Sequence, residues 1–220
     1  RWKRVTGVQT CALPILMKNA DVAMYRAKER GRNAYEFFTK ELTQSSLAHL
    51  QMETDLRRAV ERDELRVYLQ PQFSLKTGQV LGAEALVRWL RPEHGLVMPG
   101  EFIKLAEESG LIVQIGEWVQ QTAGSQWAAW IAAGRRPGVL SVNVSGVEFV
   151  RGRIQETARK TLETSQLPAQ FLELEITESA IMSHAENSAQ TLDKLRSMGL
   201  TLVIDDFGTG YSSMTRVRPM

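Results

Sequence analysis

The sequence predicts an α/β fold built on a largely parallel sheet, and three observations carry that expectation. From residue 63 onward, strand-like segments alternate with amphipathic helical ones, the order that crossover connections between parallel strands require. Four successive strand candidates each hold an oxygen-bearing side chain, Glu84 near the middle of its strand and Asn143, Glu175 and Asp205 in the second half of theirs. No G-x-G-x-x-G run opens a helix after a strand, so a dinucleotide-binding sheet loses support. An open doubly wound sheet and a closed barrel share this rhythm. The placement of the acids decides, because barrel enzymes build their sites at the C-terminal ends of the strands.

Composition sets the bounds. The 220 residues are 43% hydrophobic and 24% charged, with a formal net charge of +2, the balance of a globular chain. No basic block argues for a nucleic acid polymer, and no apolar run matches a bilayer span. One cysteine, Cys11, rules out an internal disulfide and fits a reducing, cytoplasmic setting. Membrane contact is expected only through upstream segments outside this sequence.

The elements follow in order. Residues 1–16 have no strand or helix period; Val5 to Ile15 resembles the conceptual translation of a sequencing adapter, is set aside as an artefact, and takes Cys11 with it. Residues 19–30 read as a helix with Gly31 suited to its C-terminal stop, and residues 35–38 as a short edge strand. Residues 41–62 carry Leu47, Leu50, Leu56 and Val60 at helical spacing. Strands are predicted over 65–73 and 80–89, joined by the turn Lys76-Thr77-Gly78-Gln79. Helices at 99–108 and 117–133 precede a strand at 139–144. One helix over 148–165, a strand at 171–177, a helix at 186–198 and a strand at 201–205 complete the pattern. Trp118, Trp127 and Trp130 share one helix and read as core. His49, His94 and His184 are scattered and form no cluster. The chain stops after a Gly-rich turn without a completed element, as the edge of a gene fragment would.

Side chains alternate along a strand, so Glu84, Leu86 and Arg88 share one face while Ala83, Ala85, Val87 and Trp89 share the other. Likewise Ser141, Asn143 and Ser145 oppose Val142 and Val144, and Glu173, Glu175 and Thr177 oppose Leu172, Leu174 and Ile176. An isolated buried carboxylate is costly, and any single one reads as an edge residue or half of an ion pair. Recurrence on four strands points instead to an all-oxygen cation site suited to Mg²⁺ or Mn²⁺ rather than zinc. Asp206, beside Asp205, is placed to help hold a second ion. Arg88 offers a fork that matches two phosphate oxygens.

Those residues also carry a family resemblance. Glu84-Ala85-Leu86-Val87-Arg88-Trp89 resembles the signature of EAL domains. Around it stand Tyr68-Leu69-Gln70-Pro71-Gln72, Pro99-Gly100-Glu101-Phe102-Ile103, Val142-Asn143-Val144-Ser145, Glu175-Ile176-Thr177-Glu178 and Asp205-Asp206-Phe207-Gly208-Thr209-Gly210, all in the family's order. Upstream, Ala20 to Lys28 with Gly31-Arg32-Asn33 resembles the end of a GGDEF, or diguanylate cyclase, domain. The domains expected are a GGDEF remnant at 17–41, a connecting helix at 42–62 and a truncated EAL domain at 63–220.

The resemblance implies an incomplete TIM-like (β/α) barrel of the EAL type, its first strand antiparallel to the rest. It implies hydrolysis of cyclic di-GMP to linear pGpG by two metal ions, Mg²⁺ or Mn²⁺. Glu84, Asn143, Glu175 and Asp205 would hold the first ion, and Asp205 with Asp206 the second. Glu178 would shape the loop that begins at Phe207, while Gln70, Leu86 and Arg88 would touch the nucleotide. A symmetric homodimer is the default assembly. The family's later lysine, glutamate and glutamine have no counterparts before Met220, so the 220-residue chain alone is expected to be inactive and its longer parent active. The competing reading is a receptor that binds cyclic di-GMP without cleaving it; an unrelated α/β metal hydrolase is a third.

Overall fold

The computed structural model describes residues 16–17, 19–21, 23–24, 35, 37–182 and 185–205. The chain divides into two compact units, Arg1–Asp55 and Leu56–Met220.

In the first unit the described residues between 16 and 24 are helical, whereas Tyr35, Phe37 and Phe38 are irregular and exposed. The edge strand expected at 35–38 is therefore not formed among the described residues. Aromatic residues favour strands only where a neighbouring strand supplies hydrogen bonds and packing. Helix α1 (Lys40–Ala59) follows. Its leucines do not share one fate: Leu47 and Leu50 are exposed, while Leu56 and Ala59, in the second unit, are buried.

The second unit is a mixed α/β fold. Its strands are β1 (Leu65–Phe73), β2 (Val80–Arg91), β3 (Gly95–Val97), β4 (Val139–Val144), β5 (Leu172–Thr177) and β6 (Thr201–Asp205). They pair in the order β1-β2-β4-β5-β6, with β3 on the far end of β2. β1 and β3 run antiparallel to β2, and β4, β5 and β6 run parallel to it. Each new parallel strand adds to the same edge. That is a barrel's progression; a doubly wound sheet would reverse direction at a switch point.

Between the strands lie α2 (Pro99–Ser109), α3 (Ile112–Ala132), α4 (Gly146–Val150), α5 (Ile154–Ser165), α6 (Glu178–Met182) and α7 (Ala185–Ser197). The core is the apolar face of the parallel strands, with Ala85, Trp89, Leu140, Val142, Leu172, Leu174 and Ile176 all buried. Trp89 meets Phe102 of α2 edge to face, at 5.8 Å between centroids. Trp127 of α3 is buried and donates its indole N–H to the Gly138 carbonyl at 3.0 Å, so it anchors the entry to β4. Where β2 and β4 begin to pair, a Cβ on Gly82 would lie 2.0 Å from the Val139 carbonyl oxygen, and one on Gly138 1.9 Å from that of Leu81. Only glycine lets these backbones approach so closely.

Several boundaries differ from the sequence expectation. α3 starts at Ile112, a turn and more before residue 117, because Gly110 (φ 76°) ends α2 and the chain re-enters a helix almost at once. The helix expected over 148–165 is two helices, α4 and α5, parted by Gly152 at φ 69°. The short elements β3 and α6 were not expected.

Candidate active site

Interior-facing residues of β2, β4, β5 and β6 meet in staggered rows. Glu84 stands beside Ser141, and Ser141 beside Glu173. Two residues further along, Asn143 stands beside Glu175, and Thr177 beside Asp205. Moving from β2 to β6, the predicted oxygen ligands climb the strands toward their C-terminal ends. The opposite neighbours of Glu84, Asn143 and Glu175 are buried in the core, while Ile204 beside Asp205 is exposed; Glu84 and Glu175 are themselves half-buried and Asn143 and Asp205 exposed.

The contacts show how close these groups come. The Asn143 side-chain N–H donates to Glu84 Oε1 at 2.5 Å, across a separation of 59 residues. Ser141 Oγ donates to Glu173 Oε1 at 2.6 Å. Burial pushes the Glu175 carboxyl above its ordinary range, and the charges of Glu84, Asp205 and Glu173 push the same way, against the nearby Ser141 hydroxyl. Carboxylates that repel one another at a strand rim are the electrostatic setting a cation relieves. Even so, among the described residues no three carboxyl, imidazole or thiol groups close around a common point. The donor set fits a hard cation in kind, with oxygen atoms from three or four strands, and it needs the Asn143 amide to present Oδ1, not its N–H.

On the antiparallel side, Gln70 faces Glu84 and Tyr68 faces Leu86. The Arg88 guanidinium lies over the Tyr68 ring, 5.5 Å from its centroid, and donates to the Val87 carbonyl at 2.9 Å. Glu178 opens α6 directly after β5 and is half-buried. Asp206 and the loop from Phe207 lie outside the described residues.

Some motif residues hold the fold instead. Trp89 donates its indole N–H to the buried Glu64 carboxylate at 3.0 Å, and Arg91 lies over the Trp89 ring. Glu101 accepts from the Met98 N–H at 3.2 Å and so tethers the start of α2. Ser141, Glu173 and Tyr68 were not singled out as site residues. Their signal was the strand period, since each sits two positions before a residue that was.

With that geometry established, similarity to known proteins becomes decisive. The sequence profile of the EAL domain matches residues 53–219. The chain belongs to the EAL domain family. It is 44% identical over 199 residues to the bifunctional diguanylate cyclase/cyclic di-GMP phosphodiesterase MucR of Pseudomonas aeruginosa, covering 90% of this chain and 29% of that protein. It is 37% identical over 205 residues to the cyclic di-GMP phosphodiesterase PdeR of Escherichia coli, covering 92% and 30%. The chain thus spans less than a third of either relative. Among solved structures, the MucR phosphodiesterase in complex with c-di-GMP superimposes with a TM-score of 0.71 at 43% identity, over 74% of this chain and 66% of that one. As an EAL domain, the chain has the mixed α/β, TIM-like architecture that its strand order displays. No helix among the described residues is long and apolar enough to cross a membrane.

Proposed function

We infer that the protein containing this chain hydrolyses cyclic di-GMP to linear pGpG in the cytoplasm, with the rim of β2, β4, β5 and β6 as its metal-binding edge. One observation carries the reading: the Asn143 amide touches the Glu84 carboxylate while Glu175 feels the charges of Glu84 and Asp205. In this reading Glu84, Asn143, Glu175 and Asp205 hold one divalent cation, and Asp205 with Asp206 a second. Bound Mg²⁺ or Mn²⁺ would supply the Lewis acidity that activates a water near phosphorus and offsets charge on the leaving oxygen. Arg88, steadied by Tyr68, orients a phosphate through its planar fork. Gln70 and Leu86 border the same face and contact the nucleotide, and Glu178 supports the loop that follows Asp206. Residues 17–41 belong to a GGDEF remnant, residues 42–62 form the connection to the EAL domain at 63–220, and a symmetric dimer forms through that domain.

A second reading is binding of cyclic di-GMP without turnover. The experiment incubates the purified protein, as this chain and as the full gene product, with cyclic di-GMP and Mn²⁺, and measures bound nucleotide and released pGpG. Release of pGpG by the full product, lost in Glu84→Ala, supports hydrolysis. Binding with no product in either form supports the receptor, and neither binding nor product overturns both.

A further inference from the structure

Glu148 is a buried acid outside the row of predicted ligands, 4% exposed at the start of α4. Its backbone N–H donates to Ser145 Oγ at 3.2 Å, and its carboxylate accepts the Ser145 backbone N–H at 3.0 Å. This reciprocal pair is a capping box. What sets it apart is its place and its backing. Ser145 is the first residue beyond β4, and Asn143 is the last but one within it. Behind the carboxyl, a Cβ on Gly116 of α3 would fall 1.8 Å from Glu148 Oε1. The helix therefore leaves a notch that only glycine provides, and the carboxyl fills it. Glu107 of α2 also acts on Glu148 electrostatically. A cavity of about 290 Å³ is bordered by Leu86, Asn143 and Ser145 as well as by Glu107 and Glu148.

We propose that Glu148 is a positioning residue for the metal-binding edge: clamped in the Gly116 notch, it fixes the exit of β4 and thereby the placement of the Asn143 amide against Glu84. The proposal rests on the metal reading of that edge. Without the carboxyl, the Ser145 N–H loses its partner, the strand end loosens, and the amide no longer sits at a fixed distance from Glu84. Groups that orient a ligand from behind typically change metal affinity by about 10–100-fold when removed.

The test measures Mn²⁺ affinity by titration calorimetry on this chain, alongside its metal-free thermal midpoint. Glu148→Ala is expected to weaken Mn²⁺ binding by about 10–100-fold, and Glu148→Gln, which keeps an acceptor oxygen, to restore it. Gly116→Ala should weaken binding in the same way by displacing the carboxyl. The double variant should bind no worse than Glu148→Ala, because the new methyl enters space the carboxyl has left. Should Glu148→Ala fail to fold, Ser145→Ala removes the other half of the cap and is expected to weaken binding too. Affinity unchanged in folded Glu148→Ala or Gly116→Ala, or additive losses in the double variant, overturns the proposal. If the wild-type chain binds no Mn²⁺, the metal reading itself fails, a result distinct from a variant binding as well as wild type.

Discussion

Glu148 and Arg88 show two ways in which a single side chain is held. Burial, the largest influence, and the charge of Glu107 push the Glu148 carboxyl from 4.5 up to about 7, opposed by the Ser145 backbone N–H and the Ser145 hydroxyl. A carboxyl whose folded pKa is raised binds its proton more tightly in the folded state. Its stabilising contribution is complete below pH 4.5, is lost as pH rises toward 7, and stays lost above. The loss is roughly 3 kcal/mol as an upper figure. Glu148→Gln removes the titration, so its urea midpoint should vary less between pH 5 and pH 8 (about the limits of this window) than that of the wild type. A steeper dependence in the variant would contradict this account. Arg88 is held instead by the Tyr68 ring and the Val87 carbonyl. Arg88→Lys keeps the charge but loses the planar fork, and is expected to weaken cyclic di-GMP binding about tenfold. Tyr68→Ala should have a smaller effect of the same sign, read by nucleotide titration.

At the scale of elements, the strands were legible and their joints were not. Residues 65–73, 139–144 and 201–205 were bounded in the sequence as the structure has them, because period-two alternation and flanking turn residues are local signals. The single helix expected over 148–165 failed for a reason that is local as well as tertiary. Gly152 breaks it, and α4 is held as a separate short element by the Ser145–Glu148 cap and the Gly116 notch. The strand expected at 35–38 is not formed among the described residues Tyr35, Phe37 and Phe38, since propensity alone does not make a strand. The β2–β4 joint depends on the close backbone approach at Gly82 and Gly138. Gly82→Ala should therefore cost about 1–3 kcal/mol or more, measured by chemical denaturation, while Gly100→Ala, in open space, should leave the midpoint nearly unchanged.

For the molecule as a whole, ligand binding and folding are linked. If the β2–β6 rim holds divalent cations, Mn²⁺ at about a hundred times its dissociation constant should stabilise the fold by roughly 2.7 kcal/mol. Thermal unfolding across a Mn²⁺ series checks this. An equal upward shift in Glu84→Ala would mean that the ion binds elsewhere.

By itself the sequence determined the alternation of strand and helix, the oxygen-bearing face of each strand, and the motifs that mark an EAL domain. Each of these is written in short-range spacing or in residue identity. The tertiary structure alone decided that Asn143 touches Glu84, that Ser141 and Glu173 share the row of Glu84 below Asn143, and that Gly116 makes room for Glu148. Strand register and helix packing join residues far apart in the chain, and no local pattern encodes how two such segments align.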